Sequence, residues 1–252
     1  MLVSVDNVSL RYPVYDAAAQ SFRHRLVKHA TGGRVNVEGS RVKVDALRDL
    51  SFTMQEGDRV ALMGANGAGK STLLRVLAGV YPPSEGTVTV AGRVSTMFDI
   101  SLGMDSEATG WENIKLCGLL WGLSLEECDQ HAQSIADFSE LGDYLAMPIR
   151  TYSAGMRLRL AFAIATTREP DVFLVDEVIG VGDTSFFQKA NARLSEMASS
   201  ARGLMIALHS EEAQRRICNK GLWIDHGRLM AYGPFDDVAA QYRGHVSNGT
   251  AG

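Results

Sequence analysis

Hydrophobic and polar positions follow different periods in successive segments of the chain. Residues 3–10 alternate apolar and polar side chains with several β-branched residues, which predicts a half-exposed strand ending near residue 11. From Val44 the pattern predicts a strand, a turn at 55–58, and an apolar strand that enters a glycine-rich loop and a helix beginning near Gly69. The next signals predict a β-hairpin over 81–94.

The second half continues with alternating strands and helices, which predicts an α/β protein. A mostly helical region at 108–168 has apolar positions at helical spacing, and an apolar run then ends in two acidic residues. The remaining predicted elements are a strand at 172–177, a helix around 185–200, a strand at 203–209, a hairpin at 220–233 and a frayed tail at 246–252.

Residues 14–44 interrupt this pattern and are predicted to be an insertion between two strands. The insertion holds a short helix with Phe22 and Leu26 four residues apart, followed by a glycine-containing segment. Its basic residues suit a lipid headgroup, a pyrophosphate or a membrane partner, and they suit a solvated helix packed on its own domain equally well: Arg23, Arg25 and Lys28.

Composition excludes several classes of protein. The 252 residues are 46% hydrophobic and 21% charged, which excludes a disordered chain, a collagen and a disulfide scaffold. A net charge of −4 gives no basic footprint for nucleic acid. The chain has neither a signal-peptide pattern nor an apolar run of about 18 to 20 residues, so we expect a cytosolic protein unless a partner holds it at a membrane. The three cysteines lack metal-binding spacing and are expected to be buried, inert thiols: Cys117, Cys128 and Cys218.

The strongest motif is the glycine loop at 64–71, which has the form G-x-x-x-x-G-K-S between a predicted strand and a predicted helix. Its glycines allow backbone N–H groups to surround a phosphate, and the helix N-terminus adds its dipole. Lys70 is predicted to reach the β- and γ-phosphates, and Ser71 a magnesium ion. The alternative is a chance glycine turn. The predicted nucleotide-binding residues here are Gly64, Ala65, Asn66, Gly67, Ala68, Gly69, Lys70, Ser71 and Thr72.

Two acidic residues follow the apolar run at 172–175. Asp176 is predicted to hold magnesium, directly or through water, and Glu177 to act as the general base toward the attacking water. The alternative is an acidic strand end at the protein surface. A third motif, Tyr-Ser-Ala-Gly-Met at 152–156, is a polar turn feeding a helix whose N-terminus is able to meet phosphate. For Ser153 a simple helix cap is the alternative.

The order of these motifs resembles that of the nucleotide-binding subunits of ABC transporters, over nearly the whole chain. The resemblance implies a P-loop NTPase core with a mixed sheet and an antiparallel β-subdomain, plus an α-helical subdomain. It also implies a head-to-tail homodimer in which each ATP lies between one chain's glycine loop and the other chain's signature turn. By that resemblance the signature residues that meet the nucleotide in trans are Ser153, Ala154 and Gly155.

Further residues take their roles only from the resemblance. Asp183 belongs to the D-loop between the subunits, and His209 is the switch histidine at the γ-phosphate. Without the other motifs, His209 reads as a core or surface histidine. Tyr12 is the aromatic residue expected to stack on adenine, with Tyr15 as the less favoured candidate.

Departures from the usual family pattern resemble one subgroup, the ATPase subunits of bacterial exporters of O-antigen, teichoic acid and capsule. The signature has Ala154 and Met156 where Gly and Gln are usual, and Asp99 stands where the Q-loop glutamine would hold magnesium. The segments 108–114 and 181–183, and the insertion at 14–44, also match the subgroup. Some members carry a C-terminal carbohydrate-binding domain, which we do not expect in this chain.

The resemblance therefore predicts an ATP-hydrolysing motor that docks on an integral-membrane subunit and drives export of a lipid-linked polysaccharide. Its expected location is the cytoplasmic face of the inner membrane. The alternatives are an ABC transporter subunit for another substrate, a soluble ABC ATPase acting on ribosomes or DNA, and a regulator that binds ATP without hydrolysis. The predicted domain is 1–245, with the helical subdomain at 99–165 and the second part of the catalytic core at 166–245.

Overall fold

A computed structural model describes residues 1–14, 35–38, 41–98, 100–176, 184–208 and 210–249. The chain forms two compact units. The first contains Met1–Val94, Leu174–Glu177 and Arg202–Gly252, and the second contains Ser95–Phe173 and Val178–Ala201. The helical subdomain predicted at 99–165 falls within the second unit, which also takes in the helix predicted around 185–200.

Two sheets contain the strands. The first has the order β2-β3-β1-β5, and the second has the order β10-β9-β4-β8-β7-β6. The strands are β1 (Val3–Val14), β2 (Val35–Glu38), β3 (Arg41–Met54), β4 (Arg59–Met63), β5 (Glu85–Val90), β6 (Val94–Thr96), β7 (Val172–Asp176), β8 (Gly203–Ala207), β9 (Lys220–Asp225) and β10 (Arg228–Pro234).

The first sheet is antiparallel, as the family resemblance implies, but its strands extend beyond their predicted bounds. Strand β1 continues to Val14, because its carboxyl half pairs with β3 as far as Val42. Strand β2 pairs with β3 from Val35↔Val44 to Glu38↔Arg41, inside the predicted insertion at 14–44. Both ends of that insertion therefore extend the sheet, while the predicted basic helix lies outside the described residues.

The second sheet has a parallel centre. Strand β4 pairs in parallel with β8 and β9, and β10 closes the edge as an antiparallel hairpin with β9. Strands β4, β7 and β8 are nearly continuous runs of buried residues, as expected for strands covered on both faces. The hairpin predicted over 81–94 is wrong, because β5 pairs with β1 while β6 belongs to the second sheet.

Seven α-helices lie in the described part of the chain, together with two short 3-10 helices at Gly142–Ala146 and Ile149–Thr151. They are α1 (Lys70–Leu77), α2 (Gly110–Leu120), α3 (Leu125–Ser139), α4 (Ala154–Ala165), α5 (Thr184–Ser200), α6 (Glu211–Ile217) and α7 (Phe235–Gly249). None of the described helices is long and apolar enough to cross a membrane. Helix α7 includes residues 246–249, so the frayed tail predicted at 246–252 begins inside this helix.

The second unit is organised around one apolar cluster to which α2, α3 and α4 contribute, with Ile114, Leu145 and Leu160 almost fully buried. The segment before α2 is fixed by Asn113, which is fully buried. Its amide N–H groups donate to three carbonyls at 105–109, and its oxygen accepts from the N–H of Asp105 at 2.8 Å. The 108–114 segment therefore contains the start of α2, and the buried amide of Asn113 fixes its backbone by hydrogen bonds.

The three cysteines are free and buried, as predicted. Burial raises the pKa of Cys117 to about 11 and that of Cys218 to about 12. It also raises the pKa of Cys128. Their thiols therefore remain protonated and unreactive at neutral pH, because the thiolate is the reactive form.

Candidate functional site

The glycine loop is a tight turn between β4 and α1. Gly64 has φ +144°, and a Cβ at this position would lie 2.3 Å from the carbonyl oxygen of Ile224. Gly69 has φ +119° and is the N-cap of α1. A glycine cap has no side chain to accept from the first turn of the helix, so the N–H groups at this end are directed to whatever occupies the loop.

Lys70 is bound to its own loop. Its Nζ donates to the carbonyl oxygen of Gly64 at 2.6 Å and to that of Ala65 at 3.1 Å. The N–H of Ala68 donates to the Ala65 carbonyl at 3.0 Å, and the Ala68 carbonyl accepts from Gly227 at 2.8 Å. The loop is therefore closed by its own backbone and holds an ammonium group against its carbonyls.

A cavity of about 460 Å³ opens beside this loop, within the first unit. Its lining comes from β4, the glycine loop, the start of α1, the end of β7 and the segments after β8. Asp176 reaches it from the end of β7, so a carboxylate and the Ser71 hydroxyl share one cavity with Lys70. The predicted residues that line it are Gly64, Asn66, Gly67, Gly69, Lys70, Ser71, Thr72 and Asp176, while Ala65 and Ala68 belong to the same loop.

Tyr12 lies close to α1 and is not among the residues that line the cavity. Its ring meets that of Tyr81 edge to face, with centroids 5.5 Å apart. Burial raises the pKa of Tyr12, and a side-chain hydrogen bond with Thr72 opposes that rise. The structure thus brings the predicted adenine-stacking residue beside the first turn of α1.

The signature turn at 152–156 caps α4 in the second unit. Ser153 is the N-cap, and its hydroxyl accepts from the N–H of Met156 at 3.2 Å. Tyr152 is buried and donates its hydroxyl to the carbonyl of Tyr144 at 2.6 Å, which anchors the turn from below. Ser153, Ala154 and Gly155 are all exposed. The helix cap considered for Ser153 is present, and it leaves the turn available at the surface of its unit.

A family model described as "ABC transporter" matches residues 47–180, more than half of the chain. The chain belongs to the ABC transporter family. This ABC chain is 43% identical, over 88% of its length and 94% of the other's, to the O-antigen export system ATP-binding protein RfbE of Yersinia enterocolitica. It is 37% identical, over 96% and 97%, to RfbB of Klebsiella pneumoniae, which has the same descriptive name.

The teichoic acids export ATP-binding protein TagH of Listeria monocytogenes is 36% identical over 78% of this ABC chain and 58% of its own length. Two solved structures share the fold. An ATP-binding subunit of an ABC transporter superposes with a TM-score of 0.68 at 22% identity, covering 96% of this chain and 93% of that one. A dimeric ATP-binding cassette bound to ADP and Pi superposes with a TM-score of 0.64 at 18% identity, covering 93% and 99%. The α/β fold class predicted from the sequence is therefore confirmed.

Three polar residues that line the cavity of this ABC chain were not predicted from the sequence: Glu211, Gln214 and Tyr242. Gln214 is buried, and its amide donates to the carbonyl of Leu208 at 2.7 Å. Glu211 has a local signal, since it stands two residues after His209 at a helix start. Tyr242 has none, because α7 carries no nucleotide-binding motif.

Five of the predicted ABC site residues lie outside the described residues. They are Tyr15, Asp99, Glu177, Asp183 and His209. Their roles stay predictions.

Proposed function

We propose that this chain is the ATP-hydrolysing motor subunit of an ABC exporter that moves a lipid-linked polysaccharide of O-antigen type. It acts as a homodimer on a separate integral-membrane subunit, at the cytoplasmic face of the inner membrane. The observation that carries the proposal is the cavity at the phosphate loop, which joins Lys70, Ser71 and Asp176 in one place.

The cavity suits a nucleoside triphosphate with magnesium. Its volume of about 460 Å³ lies within the range of small-molecule sites. Gly64 and Gly69 adopt backbone angles that keep side chains off the loop. Ser71 and Asp176 supply the hydroxyl and carboxylate oxygens that Mg²⁺ prefers. When bound there, Mg²⁺ supplies charge neutralisation and orientation of the β- and γ-phosphates.

Different residues of this chain have different roles in the binding and hydrolysis of ATP. Lys70 exchanges the carbonyls of Gly64 and Ala65 for phosphate oxygens, and it neutralises the charge that builds on the transferring phosphoryl group. Glu177 accepts a proton from the attacking water, and His209 contacts the γ-phosphate. Tyr12 stacks on the adenine ring, and its place beside α1 supports this role.

The signature turn completes the site of a partner subunit. Ser153, Ala154 and Gly155 are exposed, and a serine hydroxyl and helix N–H groups suit a γ-phosphate. In a head-to-tail dimer each site takes its glycine loop from one chain and its signature from the other, with Asp183 at the contact between them. Closure of the dimer therefore accompanies hydrolysis, and the helical subdomain at 99–165 transmits it to the membrane subunit, with Asp99 contributing to the magnesium site.

The polysaccharide substrate is supported by the relatives. O-antigen and teichoic acid export are the processes named for proteins that are 36–43% identical to this chain. The signature, the 108–114 segment and the acidic residue at 99 support the same subgroup.

The test is a reconstitution. The chain is purified from membranes together with its integral-membrane partner, placed in liposomes, and assayed for ATP hydrolysis with and without a polyprenyl-linked glycan. Glu177→Gln gives the blank, and the lipid carrier without glycan gives the control for substrate.

We expect stimulation by the glycan that the carrier alone does not give and that Glu177→Gln abolishes. ATPase activity with no membrane partner and no response to glycan would overturn the export assignment and leave the nucleotide chemistry in place. Stimulation by another lipid and not by the glycan would assign an ABC exporter of a different substrate.

A further inference from the structure

Helix α7 contributes a residue to the cavity beside the glycine loop. Tyr242, on α7, lines the same cavity as Lys70, Ser71 and Asp176. Tyr242 is far from Lys70 in sequence, and α7 holds no motif that predicts nucleotide binding. The fold therefore brings a tyrosine from a helix without a nucleotide-binding motif into the cavity that the glycine loop and Asp176 also line.

The ring of Tyr242 is held by its neighbours. It packs against the indole of Trp223 with centroids 5.8 Å apart. Trp223 is 7% exposed, and it pairs with Met63 in the register between β9 and β4. Met63 is the last residue of β4 and immediately precedes Gly64. The indole that supports the Tyr242 ring is therefore paired with the strand that leads into the glycine loop.

Helix α7 is fixed at its start as well as at Tyr242. Phe235, Val238 and Ala239 are buried. A Cβ added at Gly221 would lie 2.8 Å from the Cβ of Val238, so helix and strand approach closely here. The first turns of α7 are packed against β9. This packing fixes the position of Tyr242.

The carboxylate of Glu211, which also lies at the cavity, is paired with two arginines, and this pairing reduces its repulsion of phosphate. Glu211 also lines the cavity, and a bare carboxylate there would repel a triphosphate. It accepts from Arg215 at 3.1 Å and also from Arg243, which follows Tyr242 on α7. Two arginines therefore offset the charge of Glu211, and one of them ties α7 to α6 beside the cavity.

From these contacts we infer that Tyr242 contacts the phosphate end of a nucleotide bound in the cavity, as a binding residue of the same chain. The phenol is a neutral hydrogen-bond donor, so it adds a contact to phosphate oxygens without adding charge. Helix α7 is thereby sensitive to occupancy of the site. The inference rests on the proposed nucleotide-binding function, and its test separates the two.

Binding of ATP with Mg²⁺ is measured by calorimetry in the Glu177→Gln background, which keeps hydrolysis slow. Tyr242→Ala removes the ring, Tyr242→Phe removes only the hydroxyl, and Gln241→Ala is the matched control at an adjacent exposed position. Thermal unfolding of each variant checks that the fold is intact. Trp223 gives a second readout, since its ring touches Tyr242, and its fluorescence is recorded with Trp111 and Trp121 replaced by Phe.

We expect Tyr242→Ala to weaken ATP binding by about tenfold and Tyr242→Phe by about threefold, with Gln241→Ala unchanged. ATP should change Trp223 emission in the Tyr242 protein more than in Tyr242→Ala. A loss only in Tyr242→Ala would overturn the contact with phosphate, because a ring without its hydroxyl donates no hydrogen bond to phosphate oxygens. Equal affinity in a folded Tyr242→Ala would overturn the inference, whereas an absence of ATP binding in the parent protein would instead overturn the proposed function.

Discussion

Two helix starts in this protein carry glycines and are predicted to meet phosphate, yet they are built differently. At α1 the N-cap is Gly69, in a left-handed conformation, and the loop before it closes on Lys70 and a cavity. At α4 the N-cap is Ser153, in an extended conformation, and its hydroxyl caps the first turn of the helix. The first lies in a cavity of its own unit, and the second is exposed.

The difference shows what each loop needs in order to act. The glycine loop has its cation, its backbone N–H groups and an acidic partner within one unit, so it is able to bind phosphate in a single chain. The signature turn offers a hydroxyl and a helix N-terminus at a surface, and in the proposed dimer its ligand is the nucleotide of the other chain.

The largest effect is expected from removing the cation of the glycine loop. Lys70→Ala should lower the rate of ATP hydrolysis by about a hundredfold or more, because Lys70 is the only basic residue among the described residues that line the cavity. Phosphate release under saturating ATP measures it. Lys115→Ala is the control, since Lys115 is an exposed lysine paired with Asp129 at 2.6 Å in the other unit. Activity retained above half in Lys70→Ala would contradict the assignment.

The second prediction tests whether the two loops act on different chains. Lys70→Ala and Gly155→Asp should each be nearly inactive alone. Mixed in equal amounts, they should recover about a quarter of the wild-type rate, because half of the dimers are mixed and each mixed dimer has one intact site. No recovery, in a mixture shown to exchange subunits, would place both loops in the site of a single chain.

The third prediction compares Gly64, in the glycine loop, with Gly155, in the signature turn. The compared quantity is the change in the free energy of unfolding when each is replaced by alanine. Gly64→Ala should destabilise the fold by about 2 kcal/mol or more, because its Cβ would lie 2.3 Å from the carbonyl oxygen of Ile224 at φ +144°. Gly155→Ala should change stability by less than about 0.5 kcal/mol, since the nearest atom is Ser153 Oγ at 3.8 Å. Urea unfolding measures both. Similar losses of stability in Gly64→Ala and Gly155→Ala would contradict the expected difference between the two loops.

The fourth prediction separates capping from phosphate binding. Ser153→Ala and Ser124→Ala each remove an N-cap hydroxyl, at α4 and α3, and each should cost about 1 kcal/mol of stability. Only Ser153→Ala should also lower the ATPase rate of the dimer, by about tenfold, because in the proposed dimer its hydroxyl meets the partner's nucleotide. If both variants retain full ATPase activity, Ser153 is a helix cap alone.

The smallest effect concerns buried thiols. Their raised pKa values keep Cys117 and Cys218 protonated in the folded chain, so their contribution to stability is complete below the unfolded pKa of about 8.5 and is lost as pH rises toward 11 to 12. At pH 8, an alkylating reagent therefore reacts with these two thiols only when local opening of the structure exposes them. ATP at ten times its Kd should slow labelling of Cys218, in the nucleotide-binding unit, by about tenfold, and that of Cys117 by much less. Peptide mass spectrometry follows the two sites, and equal protection would contradict independent binding by the first unit.

The sequence by itself determined the features that depend on neighbouring residues. The glycine loop, its lysine and serine, and the apolar strand ending in Asp176 were each predicted from fewer than about ten consecutive residues, and a helix cap was the alternative considered for Ser153. Turns, caps and buried strands are decided by local geometry. The fold class followed from their order.

The tertiary structure alone decided which distant segments meet. The hydrophobic pattern at 81–94 predicts two strands, and only the pairing with β1 shows that they belong to different sheets. Strand β2 within the supposed insertion is likewise defined by its partner β3. Tyr242 and Glu211 join the phosphate cavity because packing of α7 on β9 and an arginine link to α6 bring them there. Such contacts depend on strand partners and helix packing far along the chain, which short-range residue patterns do not encode.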